Sequence, residues 1–176
     1  MRIYLVGFMG SGKSYLGKLW AAANNLSFYD LDELIKQKEN KIGNNNFQIT
    51  DIFENKGEQY FRAIESQTLK ETTQLNNAII ACGGGTACFN NNMTLMNENG
   101  TTVFLQATTN MLYKNLLPQK NKRPLLANIN NNDLLAFIQQ KLDERLHYYA
   151  LSKVILNSEE LNINGFQKIL QSIKNA

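Results

Sequence analysis

The chain predicts an α/β fold built on a mainly parallel sheet with helices on both faces. Two observations predict it. Short apolar runs alternate with amphipathic, helix-period segments along all 176 residues, the pattern of a sheet covered by helices on both faces. A glycine-rich stretch also stands at the first strand-to-helix junction, at 7–14. In chain order, 2–6 (RIYLV) is a compact apolar run that stops at Gly7. Segment 13–25 is helical, with Leu16, Leu19, Trp20 and Ala23 on one face. Segment 27–29 is a short strand. Segments 31–41 and 50–75 are helices, the second broken at Gly57. Segment 77–82 (NAIIAC) is a buried-type strand ahead of three glycines. Segment 92–99 is helical, 101–106 (TTVFLQ) a strand, and 109–117 a helix that must stop before Pro118. A long amphipathic helix at 133–151, a strand at 154–156 and a helix at 165–174 complete the alternation. The longest segment of low predicted structure is 117–132, rich in Lys, Asn and Pro. Loops of that length in compact domains tend to be lids or binding loops.

Composition sets limits. A chain of this length makes about one domain and buries roughly two thirds of its unfolded surface. No internal repeat or linker splits it. Apolar content of 43% and charged content of 19% are those of an ordinary globular protein. A net charge of +3 without any long Lys/Arg run gives no nucleic-acid footprint. No apolar stretch approaches the about 20 residues that span a bilayer, and the N-terminus runs straight into a strand, so neither membrane nor export is expected. The two cysteines, Cys82 and Cys88, make no disulfide framework or zinc site. They are expected as reduced thiols in a cytoplasmic protein. The tripled asparagines at 44–46, 90–92 and 130–132 read as solvated loops and caps.

The glycine-rich stretch, Gly7-Phe8-Met9-Gly10-Ser11-Gly12-Lys13-Ser14, fits G-x-x-x-x-G-K-[ST] at every fixed position. It also has the required context, a strand before and a helix after. Glycines let the backbone turn tightly and offer successive N–H groups to phosphate oxygens, and the helix N-terminus adds positive potential. Lys13 reaches the β and γ phosphates, and the Ser14 hydroxyl can ligate Mg²⁺. Gly10, Ser11, Gly12, Lys13, Ser14 and the adjoining Tyr15 are therefore the candidate nucleotide-binding residues of a three-layer P-loop NTPase fold. The guanine-reading N-K-x-D pattern has only a near miss, Asn55-Lys56-Gly57-Glu58, which favours ATP.

Four further features address the phosphoryl acceptor. Asp30 and Asp32 follow the second strand. If the strand continues through them, both carboxylates point to similar sides, one for Mg²⁺ and one for an acceptor hydroxyl; the alternative is a helix N-cap. Arg62 and Glu65 are three apart on a helix, a pairing that serves either a site or only a surface. Gly83, Gly84 and Gly85 leave bare backbone at a strand's carboxyl end, where open α/β sheets bind ligands; a flexible turn is the plainer reading. Arg145 lies on the long C-terminal helix, where a solvated face is the alternative. The chain has fourteen Lys and only Arg2, Arg62, Arg123 and Arg145. An Arg presents a planar fork of donors that grips oxyanions in pairs, which a Lys cannot do. A retained Arg therefore suggests a site that needs that fork.

Taken in order, GFMGSGKS, DLDELI, DIFENKGEQYFRAIE, IIACGGG, KRPLL and ERLHYY resemble shikimate kinase over nearly the whole length. The resemblance implies a nucleoside-monophosphate-kinase-like fold with a five-stranded parallel sheet and a mobile lid, near 117–132, in a single domain of 1–176. It implies a substrate-binding segment near 31–62 and Mg-ATP-dependent phosphorylation of the 3-hydroxyl of shikimate. Under it, Asp32 orients or deprotonates the attacking hydroxyl, and Asp30 with Ser14 holds the metal. Arg62 and Arg145 clamp the substrate carboxylate, and Gly84 offers its N–H beside Gly83 and Gly85. Arg123 descends on the ATP phosphates, making it catalytic with Lys13 and Asp32. Phe53 and Phe61 pack near the substrate ring, and Arg2 has no matched role. A monomer is expected, with shikimate as its small-molecule partner. The chain departs from the family pattern at Tyr15, where a small hydroxyl residue is common, and at Cys82, where Thr often stands. It departs again around 43–49 and after Tyr149, which touches adenine contacts near Asn157. Other kinases of the same fold, for gluconate or nucleotides, and a non-catalytic ATP-binding module are the competing readings. An ADP-release assay separates all three.

Overall fold

The computed structural model describes residues 1–43, 46–122, 126 and 129–174. Five parallel strands form one sheet in the order β2-β3-β1-β4-β5: β1 Arg2–Val6, β2 Ser27–Asp30, β3 Ala78–Ala81, β4 Thr101–Gln106 and β5 Val154–Asn157. Seven of the helices are α1 Lys13–Ala23, α2 Leu31–Gly43, α3 Ile49–Glu71, α4 Asn92–Asn99, α5 Thr109–Leu116, α6 Leu134–Tyr149 and α7 Gly165–Lys174.

Strand alternation divides the core. Ile3 and Leu5 of β1 join Ile79, Val103, Leu105, Val154 and Leu156 beneath α1 and α7, where Trp20 packs on Phe166. Tyr4 and Val6 face the other way, with Ile80, Cys82 and Phe104, against α2, α3 and α4 and the Tyr149 end of α6. Chain direction explains the division. From β1 the chain steps outward to β2, then returns inward to β3 and onward to β4 and β5. Right-handed crossovers in opposite directions place their helices on opposite faces. The loops after β1 and β3, adjacent strands, therefore diverge to opposite faces. That opens a crevice at their carboxyl ends, the usual ligand position in open α/β sheets.

Local chemistry sets the ends. Asn25 takes a left-handed φ of 52°, and the Leu26 N–H bonds to Ala21 O at 2.9 Å, so α1 closes in a Schellman turn two residues short of the predicted end. Gly57 (φ 80°, ψ 166°) kinks α3 where a break was expected. Helix α5 ends at Leu116, ahead of Pro118. Segment 117–132, expected to lack regular structure, nevertheless begins as a 3-10 helix, Leu117–Lys122. Arg2, expected to be without a role, sits part-buried. Its fork donates to the carbonyls of Asn99 (2.7 Å), Leu75 (3.1 Å) and Thr73, tying the end of α4 to the turn after α3.

Candidate active site

The loop from β1 into α1 has the backbone its glycines allow. Gly7, Gly10 and Gly12 hold φ of 137°, 81° and 92°, values that L side chains rarely adopt. Gly12 is the N-cap of α1, so the helix N-terminus opens into the loop. Leu116 of α5 closes against Gly10, where a Cβ would meet its Cγ at 2.9 Å, and Asn115 Nδ2 donates to Gly10 O at 2.9 Å. Lys13 is buried, and its Nζ donates to the carbonyls of Gly7 and Phe8, each at 2.8 Å. Gly10, Gly12, Lys13, Ser14, Tyr15, Asp30, Asp32, Gly83, Gly84, Asn115 and Gln119 are among the residues lining a hollow of about 510 Å³ above this loop. Positive-φ backbone, a helix N-terminus and a lysine in one hollow fit a polyphosphate. Ser11, predicted to contact the nucleotide, is buried, and its Oγ has no hydrogen-bond partner among the described residues. Tyr15 is exposed at the rim.

The two aspartates divide the labour differently from a continuing strand. β2 ends at Asp30 and α2 begins at once with Leu31, so Asp32 belongs to a helical first turn. The cause is a cap. Asp30 Oδ1 accepts the Asp32 N–H at 3.1 Å, while Asp30 Oδ2 accepts the Ser14 hydroxyl at 2.7 Å. Asp30 thus caps α2, the alternative read from the sequence, while its second oxygen faces Ser14. A carboxylate and a hydroxyl beside a phosphate hollow are hard oxygen donors of the kind Mg²⁺ takes from protein, with waters and phosphates supplying the rest.

Beyond Asp32 lies a second cavity of about 190 Å³, lined by Met9, Asp32, Ile49, Phe53, Phe61, Arg62, Glu65, Gly83, Gly84, Gly85 and Arg145. It shares Met9, Asp32, Gly83 and Gly84 with the phosphate hollow. The structure therefore brings the predicted acceptor residues together, and Arg62 and Arg145, from α3 and α6, meet at one cavity. Arg123 lies outside the described residues. The Arg62–Glu65 pair is not a surface ion pair: the Glu65 side chain is 1% exposed and its Oε2 lies 2.8 Å from Arg62 Nη1. Thr86 donates its hydroxyl to Glu65 Oε1 at 2.6 Å, and buried Asn92 donates to Thr86 O at 3.0 Å. A buried carboxylate supplied with both donors is a fixed anchor for a guanidinium. Arg62 also lies over the rings of Phe89 (4.2 Å), Phe61 (5.2 Å) and Phe53 (5.8 Å), and Phe53 stacks on Phe61 at 4.2 Å. Arg145 Nη1 donates to Gly84 O at 3.3 Å and its guanidinium stands over Phe8.

Thr86, Asn92, Phe89, Asn115 and Tyr149, whose hydroxyl also donates to Gly84 O, were not singled out from the sequence. Thr86 alone had a usable signal, a hydroxyl directly after GGG. Burial disfavours the thiolate at both cysteines. Burial pushes Cys82 far up, with Glu65 adding to the effect. Burial also raises Cys88, only partly offset by Arg145 and Arg62.

Comparison with known proteins agrees with this geometry. A family model described as shikimate kinase matches residues 9–174. A shikimate kinase of Azobacteroides pseudotrichonymphae genomovar. CFP2 is 40% identical over 164 residues, covering 93% of each chain. The crystal structure of shikimate kinase from Bacteroides thetaiotaomicron superposes with a TM-score of 0.87 at 34% identity, over 100% of this chain and 99% of that one. A shikimate kinase from Acinetobacter baumannii in complex with shikimate gives 0.84 at 29% identity, over 99% and 93%. A match running from the phosphate loop to the last helix, with relatives of the same length and fold, leaves one assignment: this chain belongs to the shikimate kinase family.

Proposed function

We propose that Asp32, standing in the wall shared by the two cavities, takes the proton of the acceptor hydroxyl, and that Arg62 and Arg145 grip the acceptor's carboxylate beyond it. As a shikimate kinase, the chain transfers the γ-phosphoryl group of ATP to the 3-hydroxyl of shikimate, giving shikimate 3-phosphate and ADP on the route to the aromatic amino acids. The observation that carries the assignment of roles is the sharing of Met9, Asp32, Gly83 and Gly84 by both cavities. An acceptor held in the smaller cavity presents its alcohol to the phosphate hollow across that wall.

The geometry suits phosphoryl transfer, in which positioning and charge neutralisation do most of the catalysis. The two forked cations and the Gly83–Gly85 ribbon hold the acid, with Gly84 offering its N–H. As the acceptor oxygen bonds to the γ-phosphorus, the bond to the ADP oxygen breaks and the hydroxyl proton passes to Asp32. Lys13 lies on the β and γ phosphates beside the N–H groups of Gly10, Ser11 and Gly12, with Tyr15 on the nucleotide's flank. Ser14 and Asp30 would hold Mg²⁺, which would supply neutralising charge to the phosphates. Arg123 contributes its fork from segment 117–132, acting as a lid, and segment 31–62 serves as the substrate-binding side. On this reading the chain works as a monomer in the cytoplasm, with shikimate as its small-molecule partner and neither nucleic acid nor membrane. Among the described residues no helix is long and apolar enough to cross a membrane.

A coupled ADP-release assay with shikimate, gluconate and nucleoside monophosphates tests the reading. Turnover is expected with shikimate, and Asp32→Asn should lower kcat at least about 10²-fold, the usual contribution of a general base. Turnover on the other acceptors alone would overturn it.

A further inference from the structure

Tyr149 is the last residue of α6, one turn beyond Arg145, and is 0% exposed. Its ring packs on Phe104 of β4 at 5.1 Å. A phenol so buried keeps a hydrogen-bond partner, and here the partner is the Gly84 carbonyl, which also receives Arg145 Nη1. A carbonyl oxygen has two lone pairs, and two donors from consecutive turns of one helix occupy both. Gly84 is confined on its other side as well. A Cβ there would lie 3.2 Å from Met9 N in the phosphate loop and 3.6 Å from Arg145 Nη1. The middle glycine is thus wedged between the phosphate loop and α6.

We propose that Tyr149 is a positioning residue for the acceptor: its hydroxyl, with Arg145, locks the Gly84–Gly85 peptide and so sets the glycine ribbon against the phosphate loop. The peptide is trans, so its C=O and N–H point in opposite directions. Holding the carbonyl on α6 aims the Gly85 N–H away from α6. Sharing one acceptor also fixes the approach of Arg145, because a guanidinium that moves off Gly84 O loses a bond that the phenol keeps in place. Burial pushes the Tyr149 phenol well above its ordinary value, against the smaller opposing influence of Arg145. It therefore remains a neutral donor across the working pH. This inference rests on the assignment of the glycine ribbon and Arg145 to the acceptor.

Tyr149→Phe in the full chain tests it with two readouts. Steady-state kinetics should show KM for shikimate raised about fivefold, in keeping with one lost hydrogen bond, with KM for ATP within about twofold of wild type. The ¹⁵N signal of Gly85 should move while those of Gly10 and Gly12 stay. An unchanged shikimate KM, a parallel rise of both KM values, or an unmoved Gly85 signal would each overturn the proposal. If the Phe variant does not fold, 3-fluorotyrosine at 149 keeps ring and volume while making a stronger donor. It should move the same two readouts, and their constancy would be decisive against the idea. Failure of the wild-type chain to turn over shikimate would sink the functional assignment instead, and the Gly85 signal would still judge the role of Tyr149.

Discussion

Arg2, Arg62 and Arg145 each use the planar fork on more than one group. Arg2 spends it on three backbone carbonyls, a structural staple that an ammonium on a flexible stem does not reproduce. Arg62 divides it between buried Glu65 and exposed Glu58 while lying over phenylalanine rings. Arg145 aims at the glycine ribbon. Replacing Arg62 or Arg145 with Lys keeps the charge and removes the fork. Each change should raise KM for shikimate about tenfold or more, the loss expected for a charge-assisted pair, and leave KM for ATP nearly unchanged. Initial rates over a matrix of both substrates would check this. The thiols give a pH prediction. Burial, the largest influence on each, raises both Cys82 and Cys88, so the thiolate fraction at neutral pH falls below that of a free cysteine near 8.5. Alkylation of the native protein should be slow at pH 7 and accelerate only well above pH 8.5. It should reach Cys88 first, since Cys82 is 3% exposed and packs on Met96. Mass spectrometry of iodoacetamide-treated protein reads both.

The pair α2 and α3 behaves as a braced element. Glu39 of α2 is buried, yet it receives Lys56 Nζ at 2.5 Å and the Tyr60 hydroxyl at 2.5 Å, both from α3 on either side of the Gly57 kink. Burial pushes the Glu39 carboxyl up, but the hydrogen bonds from Lys56 and Tyr60 outweigh it and leave the group below its ordinary value. A carboxyl whose value is lower folded than unfolded contributes stability above the ordinary carboxylate range and loses it as pH falls through the lowered value. Glu39→Gln should therefore lower Tm at pH 7, and the gap to wild type should close in acid. A gap independent of pH between 7 and 3 would disprove the brace. The near miss to the guanine-reading pattern, Asn55 to Glu58, is this kink. Asn55 Nδ2 bonds to Asp51 O and Lys56 to Glu39, both within the brace.

Across the whole molecule, function follows from where the sheet changes direction. The loops after β1 and β3 diverge between adjacent strands, one carrying the phosphate cradle and the other the glycine ribbon. Helix α2 starts immediately at the carboxyl end of β2, so Asp30 and Asp32 reach the same crevice from a third strand. Helices α3 and α6 bring Arg62 and Arg145 to the far wall. Ligand binding should therefore tie distant segments together. Mg-ATP at about 100 times its Kd should stabilise the fold by about 2.7 kcal/mol, seen as a raised Tm. Chelation of the metal should remove much of that gain and abolish phosphoryl transfer. An ATP-induced shift in Tm indifferent to EDTA would argue against the Ser14–Asp30 metal assignment.

The alternation of apolar runs and amphipathic segments, the phosphate cradle and the acceptor candidates were all legible in the chain, because each depends on short-range periodicity or on a local pattern of residue types. Even the end of β2 had its signal in Asp30, although the chain left both a continuing strand and a helix cap open there, and capture of the Asp32 N–H decides for the cap. What stayed hidden were partnerships between residues far apart in the chain. Glu65 is buried because Thr86 and Arg62 satisfy it, and Tyr149 reaches a glycine 65 positions away. Arg2 finds carbonyls 71 to 97 positions off. Such contacts arise when several elements pack at once, since burial and hydrogen-bond satisfaction belong to the assembled core and to no single segment of it.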